Sequence, residues 1–189
     1  VNVFQTHYFL AFDLDSTSKD WAQKQQEKLA KEIGYSAYKS WVHKEDFHIT
    51  IQFFGALSQD QLDRIKELMN KLADFNKIET YLSSGGYFGT LPHPRVVVLD
   101  VQLTEYMNEL IQFVKCYAST TDLPVDKRSY SPHVTLAKKV NEKYMLDQHV
   151  AFFDQAPAQK ISSKLKSISL YSVQHTTPNY HIVRSIELK

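Results

Sequence analysis

The chain has 189 residues, 43% hydrophobic and 23% charged, with a formal net charge of +1. That length supports one substantial core or two small lobes, and the balance is that of an ordinary globular protein. There is no basic surplus to grip duplex nucleic acid through its phosphates, so DNA is not an expected partner. An enzyme that touches one nucleotide end needs no such surplus. The single cysteine, Cys116, excludes an internal disulfide and a cysteine metal cluster. Its neighbours Val114, Tyr117 and Ala118 suggest a packed thiol in a reducing compartment. No apolar run approaches the ~18 residues of a membrane span. The apolar stretch Tyr8–Phe12 lacks a basic lead and is stopped by Asp13, so neither membrane nor secretion is expected. The expected location is cytoplasmic.

In chain order, the aromatic-rich stretch Tyr8–Leu14 predicts a buried strand. Caps at Ser16 to Ser18 open a helix to about Ile33, with Trp21, Gln25, Leu29 and Ile33 recurring every four residues and Gly34 ending it. Phe47–Phe54 predicts a strand with His48, Thr50, Gln52 and Phe54 on one face and Phe47, Ile49, Ile51 and Phe53 on the other. Ser58-Gln59-Asp60-Gln61 is a capping box for a helix with an apolar stripe from Leu62 to Leu72. Ile78–Leu82 and Tyr87–Leu91 predict two strands around a Gly85-Gly86 turn. Arg95–Val101 predicts a strand, and Thr104 caps a helix bearing Met107, Leu110, Ile111 and Val114. A second histidine strand follows over Tyr130–Lys138, then a short helix near Glu142–His149. Strands near Lys166–Val173 and Tyr180–Leu188 close the chain.

The pattern His, apolar, Thr, apolar occurs twice, as His48-Ile49-Thr50-Ile51 and His133-Val134-Thr135-Leu136. On a strand each His projects with its Thr while the apolar residues turn away. Each half reads strand, helix, His strand, helix, strand. The histidines lie about half the chain apart, as expected for two lobes related by a pseudo-twofold with both imidazoles in one central cleft. No linker separates the halves, so a single bilobal domain over 1–189 is expected, its halves roughly 1–93 and 94–189 with interleaving allowed. The expected fold class is α+β: antiparallel-rich sheets with helices outside.

Two imidazoles titrating near neutrality can supply one base and one acid, as phosphodiester cleavage requires. Two threonine hydroxyls can stabilise charge developing on phosphate oxygens. A zinc site is disfavoured: there is no His-Glu-x-x-His, and Asp46 is one carboxylate only. No metal and no cofactor are expected. Against this stands the plain reading of each His-x-Thr as a half-buried structural pair.

Phe47-His48-Ile49-Thr50-Ile51-Gln52-Phe53-Phe54-Gly55 and Ser131-Pro132-His133-Val134-Thr135-Leu136-Ala137-Lys138 resemble the two signatures of the 2H phosphoesterases. Within that superfamily the chain is most similar to the RNA 2′,3′-cyclic phosphodiesterases, also called 2′-5′ RNA ligases. Phe9-Leu10-Ala11-Phe12, Pro94-Arg95-Val96 and Ser169-Leu170-Tyr171-Ser172 with Tyr180 support the likeness. The resemblance implies a bilobal α+β fold and hydrolysis of a 2′,3′-cyclic phosphate at an RNA end to a 2′-phosphate. His48 would be the acid and His133 the base, with Thr50 and Thr135 on the non-bridging oxygens. Run backward, the same pair would join a cyclic end to a 5′-hydroxyl, with the roles exchanged.

Many members carry Arg where this chain has Ser131 and Lys138. Strand alternation turns Ser131 toward His133 and Lys138 away from it. Lys127 and Arg128 are therefore candidates for the cation, and a solvated charged turn is the plain alternative. Phe12, Phe54 and Tyr130 are candidate base-stacking residues, with core packing as their alternative. The expected partners are RNA 3′ ends or nucleotides carrying a 2′,3′-cyclic phosphate, bound by a monomer. The alternative functions are another phosphoesterase of the superfamily, acting on 2′-5′ oligonucleotides or another cyclic phosphate, and a non-catalytic nucleotide or RNA-end binding module.

Overall fold

The computed structural model describes residues 5–143, 150–154 and 158–189. Among the described residues nine strands form two antiparallel sheets: β1 (His7–Asp13), β2 (Tyr38–Trp41), β3 (His48–Ala56), β4 (Ile78–Thr90), β5 (His93–Val101), β6 (His133–Val140), β7 (Lys160–Leu165), β8 (Ser167–Val173) and β9 (Tyr180–Glu187). The helices are α1 (Ser16–Ile33), α2 (Gln59–Leu72), α3 (Glu105–Thr120) and the single turn α4 (Ala151–Asp154). One sheet runs β3-β1-β8-β9 and the other β2-β6-β5-β4-β7. The expected α+β class is the observed one. Each His strand pairs with the strand that opens its half, β3 with β1 and β6 with β5. Neither sheet comes from one half of the chain: β8 and β9 complete the first, and β2 and β4 belong to the second.

The helices form where the patterns place them. Asp15, rather than a serine, caps α1 by accepting the Ser18 amide at 2.7 Å. The capping box at Ser58 and Gln61 and the Thr104 cap are both present. Ala22, Leu29 and Ile33 of α1, Ile65, Leu68 and Leu72 of α2, and Leu110, Ile111 and Val114 of α3 are buried in a common core. Cys116 departs from the expectation and is exposed. Val114 and Ala118 take the inward positions of α3, so the residue midway between them turns to solvent.

One further reading needs correction. Gly85-Gly86 is not a turn: β4 runs through it as one strand of 13 residues. The glycines sit at a bulge, between the pairs Ser83–Asp100 and Gly86–Val98. A Cβ on Gly86 would lie 2.7 Å from Asp100 Oδ1, so the missing side chain is what lets the strands close. The short edge strands β2 and β7 carry too little alternation to be foreseen. The helix expected near Glu142–His149 falls largely on residues 144–149, outside the described residues.

Bulges also interrupt the ladders that carry the two motifs. On β3, Thr50 pairs with Ala11 and Gln52 with Leu10, which leaves Ile51 as an extra residue. On β6, Thr135 pairs with Val98 and Ala137 with Val97, which leaves Leu136 extra. Each bulge falls immediately after the motif Thr. An extra residue inverts the alternation beyond it. The Leu136 carbonyl freed by the second bulge accepts from Gln26 Nε2 of α1 at 2.8 Å and from the Val42 amide at 3.0 Å. A third bulge, on β5, leaves Arg95 extra between the pairs Val96–Phe88 and Pro94–Gly89.

Gly89 has φ +101°, and a Cβ there would sit 2.9 Å from the Arg95 amide nitrogen. Gly89→Ala is therefore expected to destabilise the protein by about 1–3 kcal/mol, from positive-φ strain plus the clash. Urea denaturation of the variant measures it, and an unchanged midpoint would refute the constraint.

Candidate active site

Both motif histidines are held in the same way. His48 Nδ1 lies 2.6 Å from the Asp46 carbonyl, and His133 Nδ1 lies 2.8 Å from the Ser131 carbonyl. In each case the partner is two residues upstream on the same chain. A carbonyl only accepts, so Nδ1 carries the proton in both neutral rings and Nε2 is left as the reactive nitrogen. His48 Nε2 lies 3.0 Å from Thr50 Oγ1, the pairing expected of a hydroxyl donating to an unprotonated ring nitrogen.

The surroundings of the two rings differ. His48 is half-buried among Phe9, Tyr180 and Tyr171, at ring-centroid distances of 4.8, 5.2 and 6.2 Å. Burial, opposed by the Asp46 carbonyl and reinforced by His133 and Lys138, brings its pKa down to about 4. His133 meets the ring of Phe88 at 4.8 Å and stands opposite Asp100 in the β5–β6 ladder. Burial pushes the Asp100 carboxyl up, and His133 partly offsets that.

Asp46 also organises the loop over His48. Its buried carboxylate accepts from the amides of Asn179 at 2.8 Å and Tyr180 at 3.2 Å. That carboxylate, weighed in the sequence as a metal ligand, is used to pin the β8–β9 loop. Tyr171, stacked on Phe9 at 5.2 Å, donates its hydroxyl to Asp13, whose carboxylate also accepts from Ser167 and Ser169 at 2.7 Å each.

Thr50, Thr135, His133, Ser131, Tyr130 and Lys138 share the lining of one cavity of about 560 Å³, with Phe53, Phe88, Arg95, Lys115 and Arg128 around them. Tyr130 ties the two motifs together: its hydroxyl donates to the Thr50 carbonyl at 2.9 Å, and burial pushes its pKa up, so it stays a donor. Ser131 lines the cavity and also supplies the carbonyl that anchors His133.

The remaining candidates sort differently. Phe12 and Phe54 are core residues, 0% and 4% exposed, and cannot stack a base. The bulge at Ile51 gives the cavity side to Phe53 instead, which is 52% exposed. Lys138 likewise does not point away. The bulge at Leu136 turns it into the cavity, where it acts electrostatically on His48. Lys127 is exposed and does not line the cavity. Arg128 lines it, but its guanidinium grips Asp126 at 2.6 to 3.2 Å and holds that carboxyl down at about 2. Arg95, Lys115, Phe53 and Phe88 were not foreseen as site residues. Strict alternation carries no signal for a residue placed by a bulge or by a distant element.

A second cavity of about 500 Å³ opens beside the β8–β9 loop, between Val173, Gln174, Thr176, Asn179 and Tyr180, and Lys138 belongs to its lining too. Among the described residues no helix is long and apolar enough to cross a membrane.

The depressed His48 pKa has a signed consequence. Above about pH 6.5 the ring is neutral in both folded and unfolded chains. As pH falls toward 4 the unfolded chain takes up a proton that the fold resists. Stability then drops by about 3 kcal/mol between those limits. Denaturation of wild type and His48→Gln at pH 7 and pH 4.5 measures this. The variant is expected to lose less on acidification, and equal losses would refute the burial effect.

Comparison with known proteins agrees with the geometry. The model of the LigT-like phosphoesterase family matches residues 19–98, a span that includes the first motif. An RNA 2′,3′-cyclic phosphodiesterase of Bacillus subtilis (strain 168) is 26% identical over 165 residues, 85% of this chain and 87% of its own. Among solved structures, TT0787 of Thermus thermophilus superposes with a TM-score of 0.78 at 18% identity, over 96% of this chain and 97% of its own. The E. coli LigT structure with 3′-AMP gives 0.71 at 18% identity, over 97% and 98%. At that identity the structures speak for the fold. The likeness to the LigT-like phosphoesterases thus covers residues 19–98, and the LigT structures share the fold of this chain.

Proposed function

We propose that the cleft hydrolyses the 2′,3′-cyclic phosphate of RNA or nucleoside ends to a 2′-phosphate, with His48 and His133 as the acid–base pair and no metal. The observation that carries this reading is the matched anchoring of the two imidazoles, each Nδ1 on the carbonyl two residues upstream. His133, both threonines and Lys138 line one cavity, and His48 Nε2 meets its edge through Thr50 Oγ1 at 3.0 Å. The B. subtilis relative supports the substrate class by its name.

In the hydrolytic direction, His133 takes a proton from water as the water oxygen attacks phosphorus. The bond to the ribose 3′ oxygen breaks, and His48 protonates that oxygen. Burial keeps His48 neutral near pH 7, so it must gain its proton with the substrate. The phosphate anion supplies the opposite charge that favours protonation. Thr50 then turns its hydroxyl from His48 Nε2 to a non-bridging oxygen, Thr135 takes the other, and Lys138 balances the charge. The reverse direction exchanges the histidine roles and joins a cyclic end to a 5′-hydroxyl.

The test is hydrolysis of nucleoside 2′,3′-cyclic phosphates in EDTA, with 2′- and 3′-phosphate products resolved. Wild type is expected to give the 2′ product, and His48→Ala and His133→Ala each to lose about 10²–10⁴-fold in kcat. Turnover that survives both substitutions would overturn the mechanism. Nucleotide binding without turnover would instead support the binding module.

Proton uptake at His48 gives a second check. A uridine 2′-phosphate titration by calorimetry in buffers of different ionisation enthalpy is expected to show net proton uptake near pH 6. His48→Gln is expected to remove the His48 share of that uptake. Buffer-independent heats would contradict the coupling.

A further inference from the structure

The cavity beside the histidines is charged beyond the needs of one phosphate. Arg95, Lys115, Arg128 and Lys138 line it, against the single carboxylate of Asp126. The whole chain carries a formal charge of only +1, so this is a local concentration of positive charge. A cyclic phosphate is a monoanion, and Lys138, next to His48, suffices to balance it. Arg128 is satisfied by Asp126, at 2.6 Å from Nη2 to Oδ2. Asp126 also draws on Lys115 electrostatically, but among the described residues no carboxylate forms an ion pair with Lys115 or Arg95. Lys115 Nζ spends one bond on the Arg128 carbonyl at 2.8 Å, which directs it toward the cavity wall. Arg95 makes no ion pair among the described residues, and the backbone is shaped to place it: it is the extra residue of the β5 bulge, backed by Gly89.

We infer that Arg95 and Lys115 form a subsite for a second phosphate, the internucleotide phosphate one step upstream of the reacting end, so that the substrate is an RNA strand end rather than a mononucleotide. Phe53 and Phe88 line the same cavity and offer apolar ring surface to the terminal nucleoside between the two phosphates. A volume of about 560 Å³ is within the range for one whole nucleotide. The inference takes from the preceding subsection that the reacting phosphate sits at the histidines, and adds where the strand leaves.

The experiment compares uridine 2′,3′-cyclic phosphate with the dinucleotide UpU ending in the same cyclic phosphate. Alongside, the affinities of uridine 2′-phosphate and of UpU ending in a 2′-phosphate are measured against salt. The dinucleotide is expected to turn over with at least about tenfold higher kcat/KM. Its log affinity is expected to fall more steeply with log salt, by about 0.7 for one added phosphate contact. Arg95→Gln and Lys115→Gln are expected to bring the dinucleotide-to-mononucleotide ratio toward one. Parallel salt slopes with equal affinities would overturn the subsite, as would equal losses on both substrates in the variants, which would put these cations at the reacting phosphate. Wild type that turns over neither substrate would overturn the hydrolytic reading. The affinity comparison would still decide the subsite.

Discussion

The site depends on a short hydrogen bond made twice: an imidazole Nδ1 donating to the carbonyl two residues upstream, at 2.6 Å for His48 and 2.8 Å for His133. This contact is local in sequence, so it forms wherever the strand entry forms, without waiting for the other sheet. It sets the tautomer and the ring plane together, and commits Nε2 to the cleft. What the tertiary structure adds is convergence. Tyr130 ties the second motif's approach to the Thr50 backbone, and Asp46 ties the β8–β9 loop to the approach of the first. Asp46 thus both anchors His48 and joins two parts of the site, while Tyr130, next to the His133 anchor Ser131, makes the other join.

The second organising feature is the pair of bulges after the motif threonines. Up to Thr50 and Thr135 the strands alternate regularly, which keeps His and Thr on one side and the apolar residues in the core. An uninterrupted strand would next have sent Gln52 and Ala137 to the cleft. The extra residues Ile51 and Leu136 bring Phe53 and Lys138 to it, one aromatic and one cationic, and leave Gln52 buried at its wall. The same insertion in both ladders yields equivalent positions with different chemistry, a stacking surface on one strand and a charge on the other. The bulge on β6 is also satisfied, since Gln26 and Val42 take up the Leu136 carbonyl, so its geometry is held by α1 and not left to strand twist.

This division explains what could be read from sequence. The α+β class, the helix caps at Ser58 and Thr104, the two His strands and the apolar stripes are consequences of local pattern, and all appear in the fold. Several of the assignments that changed lie at or beyond a bulge. Phe54 and Lys138 exchange sides with respect to simple alternation, and Gly85-Gly86 bends a continuous strand instead of reversing it. A bulge is a property of two paired strands, and one strand read alone cannot reveal it. Arg95 and Lys115 escaped for a related reason: they reach the cavity from β5 and α3, which no spacing in the motifs connects to it. Phe12 followed the ordinary rule for a central-strand aromatic and went to the core.

Duplication of the anchor without duplication of the surroundings is what makes the pair useful. Two identical imidazoles facing one cleft would titrate together and repel when both were charged. Here His48 is enclosed by Phe9, Tyr171 and Tyr180, with the charges of Lys138 and His133 further opposing its protonation. His133 has one aromatic neighbour and a carboxylate across the ladder. The fold therefore holds His48 neutral near pH 7, with Thr50 placed on the Nε2 lone pair. In the proposed reaction an anion beside His48 would reverse that balance, because it would favour a proton on His48 and offer Thr50 a better acceptor. The phosphate of that reaction would then do more than occupy the site: its charge would set the protonation state from which an acid–base pair acts.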